Sequence, residues 1–398
     1  MTDQAPPPAS LMKRFLSLFG RTTSSGRYVP EIDGLRCLAI VLVVLFHCHY
    51  FFLDGSEKMN AADALDNRGL HLINFIIAKG WFGVQIFFVI SGMVLALPYA
   101  SHYLTGSRKP QLKRYFRRRL IRIEAPYLLT LTLFFLYYTL MNGGDYFINN
   151  LPHYGAGLIY AHTLFYDGAL NPVLTVSWTL EIEVQFYLLA PLLCSLFAIK
   201  PAIIRRLCFM ALALVSSYFS GWCNALYSSG FWGHSLIGQF SYFIIGLLLA
   251  DLYISYWQDT TSAYAKIWDA VGLLVWPLAF ILIEYSPWIE WKPFALLVGF
   301  TAVLRGHYLR KLFSIPWITA IGAMCYTIYL FHSFLFYQLV RPHIIDRLIP
   351  ITPGEWPFNY LTMFILGGIT IAFCSIIFLV IEKPFAQGRL FKKNRNNS

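Results

Sequence analysis

Apolar runs long enough to cross a bilayer recur along this chain, and that recurrence narrows its fold more than any other feature. Read by hydropathy, they fall at about 35–53, 81–100, 123–141, 177–198, 203–222, 235–255, 267–285, 293–306, 316–339 and 359–381, the eighth being short. A spanning helix needs about 20 predominantly apolar residues, and in hydrocarbon its backbone must bond to itself, so such runs become helices. They come as continuous blocks and lack the alternation of a membrane β-strand, which argues against a barrel. Composition agrees: 57% of the 398 residues are hydrophobic and only 13% are charged, about half the charge of a soluble domain. The expected fold is an all-α polytopic membrane protein with about ten transmembrane helices.

A net charge of +11 would raise nucleic acid as a partner, but the distribution of that charge reports topology. With ten spans, 24 of the 31 Lys and Arg residues fall on one side, in the two ends and in segments 101–122, 199–206, 256–266 and 305–311. The other side holds Lys58, Arg68, Lys79, Lys292, Arg341 and Arg347. The positive-inside rule then puts both termini in the cytoplasm. The expected partners include membrane lipids and exclude nucleic acid. Residues 1–30 read as a cytoplasmic leader, 31–385 as the transmembrane domain and 386–398 as a basic cytoplasmic tail. Within the leader, Leu11–Phe19 reads either as a short surface helix or as a plain tail. No small-residue cleavage site follows the first apolar block, so no signal peptide is expected. The seven cysteines are scattered, mostly inside apolar runs, and form neither a disulfide framework nor a metal-binding pattern.

Two ionisable residues interrupt the first apolar run, Arg36 near its start and His47 deep inside it. Such residues are costly in lipid and mark functional sites. Eleven residues at about 100° each return His47 to within about 20° of Arg36, roughly 16 Å along the axis. Both side chains therefore line one stripe. A metal pair of His47 with His49 is disfavoured, because residues two apart on a helix diverge, and no metal is expected.

The cytoplasmic segment Arg108–Arg122 is far more basic than topology requires. Arg117, Arg118, Arg119 and Arg122 are spaced to stack guanidinium groups on one helical face, forked donors suited to a multiply phosphorylated ligand. The same charges also serve as a stop-transfer and lipid-headgroup patch. In the fourth span, Ser177-Trp-Thr-Leu-Glu-Ile-Glu183 places two carboxylates in the outer half. Only one of Glu181 and Glu183 can enter a given cleft, and the other needs its own partner. Glu183 and His47, approached from opposite faces, lie at similar depths and can meet near the middle of the membrane. There an imidazole can take the proton of an attacking hydroxyl while a carboxylate fixes its tautomer or binds the acceptor. A His–Glu pair serves equally as a proton relay in a transporter.

Three further stretches carry signals. In Gly80-Trp-Phe-Gly-Val-Gln-Ile-Phe-Phe-Val-Ile-Ser-Gly92 the small residues suit close helix packing. Tyr329 and His332, three apart, share a face, with His332 either a site residue or an interhelical hydrogen-bonding group. The outer loops are longest at 54–80 and 142–176. The second holds no Lys or Arg, but has Asp145, His153, His162, Asp167 and several aromatics. It reads as an acceptor lip or as a merely polar loop.

Taken in order, Arg36-x10-His47, Phe87-Phe-Val-Ile-Ser-Gly92, Arg119-Leu-Ile-Arg122 with Ile-x-Ala-Pro-Tyr127, Ser177-Trp-Thr-Leu-x-x-Glu183-x-x-Phe-Tyr187, Tyr326-x-x-Tyr329-Leu-x-His332 and Glu382-Lys-Pro384 resemble acyltransferase family 3, integral-membrane O-acyltransferases. The resemblance runs from residue 31 to about 385. It implies a cytoplasmic acyl-CoA donor, usually acetyl-CoA, as co-substrate, and transfer to an acceptor on the other side of a bacterial inner membrane, such as a lipopolysaccharide, exopolysaccharide or lipid-linked glycan. It also implies His47, Arg36 and Glu183 as catalytic residues, Arg119 and Arg122 with neighbouring Arg118 for the CoA phosphates, and Ser177, Trp178, Tyr187, Tyr329 and His332 for substrate. Some members carry an extracytoplasmic hydrolase-like domain after the helices. This sequence resembles the stand-alone type. Alternatives are a proton-coupled transporter or flippase, a small-molecule acceptor, or a longer acyl group such as succinyl.

Overall fold

A computed structural model of the chain describes residues 18–19, 28–52, 76–226, 232–258, 262–282, 288–338 and 358–386. Among the described residues there is no strand. The helices are α1 Pro30–Phe52, α2 Gly83–Thr105, α3 Leu112–Asn142, α4 Gly144–Leu158, α5 His162–Phe165, α6 Trp178–Leu193, α7 Ala202–Leu226 and α8 Leu236–Leu252. They continue with α9 Ala265–Leu282, α10 Lys292–Arg305, α11 Tyr308–Phe313, α12 Pro316–Ala323, α13 Cys325–Phe334, α14 Phe358–Ile377 and α15 Lys383–Ala386.

Each of the ten apolar segments falls on helix over its described part. Among the described residues, five helical stretches are long and apolar enough to cross a membrane: Gly80–Thr105, Thr175–Ala198, Ala202–Cys223, Leu236–Trp257 and Phe364–Glu382. A sixth arises if α12 and the stretch Cys325–Gln338, bent by 63° at Met324, count as one broken span. Helix α10 has only 14 residues.

The 142–176 segment, expected as a loop, is largely helical, with α4 and α5 folded within it. A hydropathy reading looks for spanning length and passes over helices this short. Of the 54–80 loop, residues 54–75 lie outside those described, as do most of the leader and residues 387–398 of the tail.

Helix α1 is the organising element, packed against α2, α11, α12, α13 and α14. Its Leu35, Ala39, Ile40 and Val43 are completely buried. Glycines permit this crowding: a Cβ on Gly80 or Gly83 would run into the backbone of α1 at Leu42 or Ala39. Acidic residues in the first turn suit the positive end of α1, and each has a basic partner, Arg310 with Glu31 at 2.6 Å and Arg36 with Asp33 at 2.5 Å. The periphery is apolar on its outer side as well. Ile365, Ile369, Phe373 and Ile376 of α14 and Ile204, Leu207, Val215 and Trp222 of α7 are all exposed. Helical spacing puts each set on an outward stripe, the pattern hydrocarbon favours and water does not.

Candidate active site

A cavity of about 120 Å³ lies inside the bundle, lined from four helices: Arg36 of α1, Phe87, Ser91 and Val94 of α2, Thr179, Glu183 and Tyr187 of α6, and Tyr326 and Tyr329 of α13, with others. Periodicity explains the choice. Residues 87, 91 and 94, and likewise 179, 183 and 187, recur at three to four positions and so share a face.

The two carboxylates of α6 divide as their spacing requires. Glu183 faces the cavity and accepts a 2.5 Å hydrogen bond from the Ser91 hydroxyl. Glu181 points elsewhere and is completely buried. Its Oε2 accepts from both the backbone N–H and the hydroxyl of Thr163, each at 2.9 Å. It thereby ties α5, in the 142–176 segment, to α6.

Arg36 reaches the cavity while paired with Asp33. His47, further along the same stripe, does not line it. Its Nδ1 lies 2.8 Å from the carbonyl of Val43. A carbonyl only accepts, so Nδ1 carries the proton and Nε2 of the neutral ring is the free proton acceptor. The tautomer is thus fixed by the backbone of α1 and not by a carboxylate. His47 meets His332 with ring centres 4.7 Å apart, and His332 lies 5.8 Å from the ring of Tyr329, a cavity wall. Tyr329 is itself locked, donating to the Val176 carbonyl at 3.1 Å and accepting from Thr179 at 2.8 Å. The structure therefore gathers Arg36, Glu183, Tyr187 and Tyr329 around one space, with His47 and His332 behind Tyr329.

The other candidates lie apart. Ser177 is completely buried in the turn before α6, and Trp178 packs against His234 at 4.6 Å; neither lines the cavity. Arg118, Arg119 and Arg122 fall on the first half of α3, with side chains outside those described. Ser91 and Thr179 join the site only through the fold. In the sequence, Thr179 is marked by its four-residue spacing from Glu183, and Ser91 lies in a stretch that packing alone explains.

Outside the spanning helices, α4 and α5 bring two histidines together. His153 Nδ1 and His162 Nε2 are 2.9 Å apart, and Tyr166 lies against both rings. Burial, then the neighbouring His153, push the His162 imidazole down to about 4.

These features define a multi-pass helical membrane protein with a cavity lined by several of its helices. The family model described as an acyltransferase domain matches residues 29–380. The chain belongs to acyltransferase family 3. It is similar to "Putative O-acetyltransferase SACOL0978" of Staphylococcus aureus (strain COL), 26% identical over 388 residues, covering 91% of this chain and 58% of that protein. It is also similar to "O-acetyltransferase OatA" of Staphylococcus aureus (strain NCTC 8325 / PS 47), 25% identical over 357 residues, covering 82% of this chain and 53% of the relative. The chain therefore spans little more than half the length of these curated relatives. No solved structure matches it.

Proposed function

We propose that this protein is a membrane O-acyltransferase that moves an acyl group, acetyl in the first instance, from cytoplasmic acyl-CoA to a hydroxyl of an extracytoplasmic or lipid-linked glycan. The observation that carries the reading is the convergence of Arg36 and the Ser91–Glu183 pair on one cavity, with a histidine of fixed tautomer behind its Tyr329 wall. The names of the two relatives support O-acetyl transfer.

The topology that goes with this reading has ten spans, with both termini on the cytoplasmic side of a bacterial inner membrane. Arg119 and Arg122, with Arg118 beside them, hold the CoA phosphates, since guanidinium forks match phosphate oxygens. Arg36 carries the positive charge into the bundle. It stabilises the oxyanion formed when the thioester carbonyl is attacked. His47 Nε2 takes the proton of the acceptor hydroxyl. Polysaccharide or lipopolysaccharide hydroxyls are the proposed acceptors, arriving from the side opposite the Arg108–Arg122 segment.

The test is CoA release by purified protein given acetyl-CoA and a glycan acceptor. Release that depends on acceptor, and is lost in Arg36→Ala and His47→Ala, is expected. A transporter using His47 and His332 as a proton relay predicts flux without thioester consumption, and that result would overturn the proposal.

A further inference from the structure

We propose that Ser91 is acylated during the reaction, holding the acyl group as an ester between donor and acceptor, with Glu183 as its proton acceptor. This rests on the acyltransferase reading above.

Three observations carry it. The Ser91 hydroxyl already donates to the Glu183 carboxylate at 2.5 Å, and both line the cavity that Arg36 also reaches. A hydroxyl hydrogen-bonded to a base, in a cavity that an arginine also lines, is the arrangement of a nucleophile. Second, the backbone around Ser91 is clamped. A Cβ on Gly92 would strike the backbone of Phe243, and one on Gly246 would strike the backbone at Val89 and Met93, so α2 and α8 are in direct contact on either side of the serine. The hydroxyl is placed by main chain, with one side-chain torsion left to set. Third, two proton acceptors are present in two places. Glu183 lies in the cavity against Ser91, while His47, which does not line it, meets His332, and His332 meets the cavity wall at Tyr329. One base can serve the serine and the other the acceptor.

In the first step Ser91 Oγ attacks the thioester carbonyl and its proton passes to Glu183. The C–S bond breaks and CoA leaves as a thiolate, which takes a proton from cytoplasmic water. In the second step the acceptor oxygen attacks the Ser91 ester and its proton passes to His47 Nε2. The ester C–O bond breaks, Glu183 returns its proton to Ser91 Oγ, and His47 releases its proton to water. Donor and acceptor need not occupy the bundle together, which suits substrates arriving from opposite faces.

The experiment uses the full chain in detergent with acetyl-CoA labelled in the acetyl group and no acceptor, quenched in acid and digested. One acetyl ester on the peptide containing Ser91 is expected, stable in acid and released by alkaline hydroxylamine. In His47→Ala the label should persist when acceptor is added. Ser91→Ala should lose the label and at least about 100-fold in turnover while still binding CoA, which shows that it is folded. Ser91→Cys provides a second check, since its label would be a thioester cleaved by neutral hydroxylamine. No label in wild type that nonetheless turns over with acceptor, label on another residue, or Ser91→Ala within a few-fold of wild type would each overturn the acyl-serine. Wild type that consumes no acetyl-CoA even with acceptor would instead remove the acyltransferase reading, and this step with it.

Discussion

The imidazoles of His47 and His332 meet edge to face across the α1–α13 interface, ring centres 4.7 Å apart and planes at 74°. His332 is completely buried, with Nδ1 held at 2.8 Å by the carbonyl of Tyr329. It therefore acts as a fixed stop for the His47 ring. Removing it should misplace His47 without removing the base. Replacing His332 by Ala is expected to lower turnover by about 100-fold, the cost of a misplacement near 1 Å, while CoA binding is unchanged. A loss in binding equal to the loss in turnover would assign His332 to the donor site instead.

The two carboxylates of α6 should fail in different ways. Glu181→Ala strips two hydrogen bonds from buried Thr163. At roughly 1.5 to 3 kcal/mol for a bond to a charged group, it should lower the melting temperature clearly. Glu183→Gln faces the cavity and should melt near wild type but be inactive. Thermal unfolding alongside acyl-CoA consumption separates the two, and the reverse pattern would contradict the assignment.

Gly83→Ala should cost about 1 to 3 kcal/mol by overpacking, because the added methyl would press on the Ala39 carbonyl of α1. Since α1 carries Arg36 and His47, activity should fall with stability. Gly155→Ala, in α4 with nothing within 4 Å of the new Cβ, is the matched control. It should be neutral or stabilising by up to about 1 kcal/mol. Melting curves of the two variants make the comparison.

The buried His162 gives stability a pH dependence of known sign. Its folded value, about 4, lies below the ordinary 6.5, so the unfolded chain takes up the proton first as pH falls. The stabilising contribution is complete above about 6.5, declines down to about 4, and changes no further below. His162→Phe, which keeps a ring against Tyr166, should flatten that part of a melting-temperature profile. An unchanged slope would place the titration elsewhere.

Much of this was legible in the sequence because it follows from short-range periodicity. The ten helical segments and the shared stripe of Arg36 and His47 need only apolar run length and 3.6 residues per turn. The need of Glu181 and Glu183 for separate partners follows from their two-residue spacing. What escaped depends on long-range contact. Ser91 and Glu183 are 92 positions apart, and nothing local marks them as a pair. The bend at Met324 lets α12 seat Gly322 against the Asp33 carbonyl, while the apolar run itself reads as continuous. Helix α4 has Pro152 inside it and is too short to span, so hydropathy passes it over.

In the proposed reaction, one cavity joins an acyl donor on the cytoplasmic side to an acceptor outside. Protein reconstituted into vesicles, with acetyl-CoA on one side only and an impermeant glycan on the other, tests it most directly. Acetylated glycan should appear with wild type and not with Arg36→Ala or His47→Ala, and only when acetyl-CoA is on the side bearing the Arg108–Arg122 segment. Acetylation that requires donor and acceptor on the same side, or that survives both substitutions, would contradict the account.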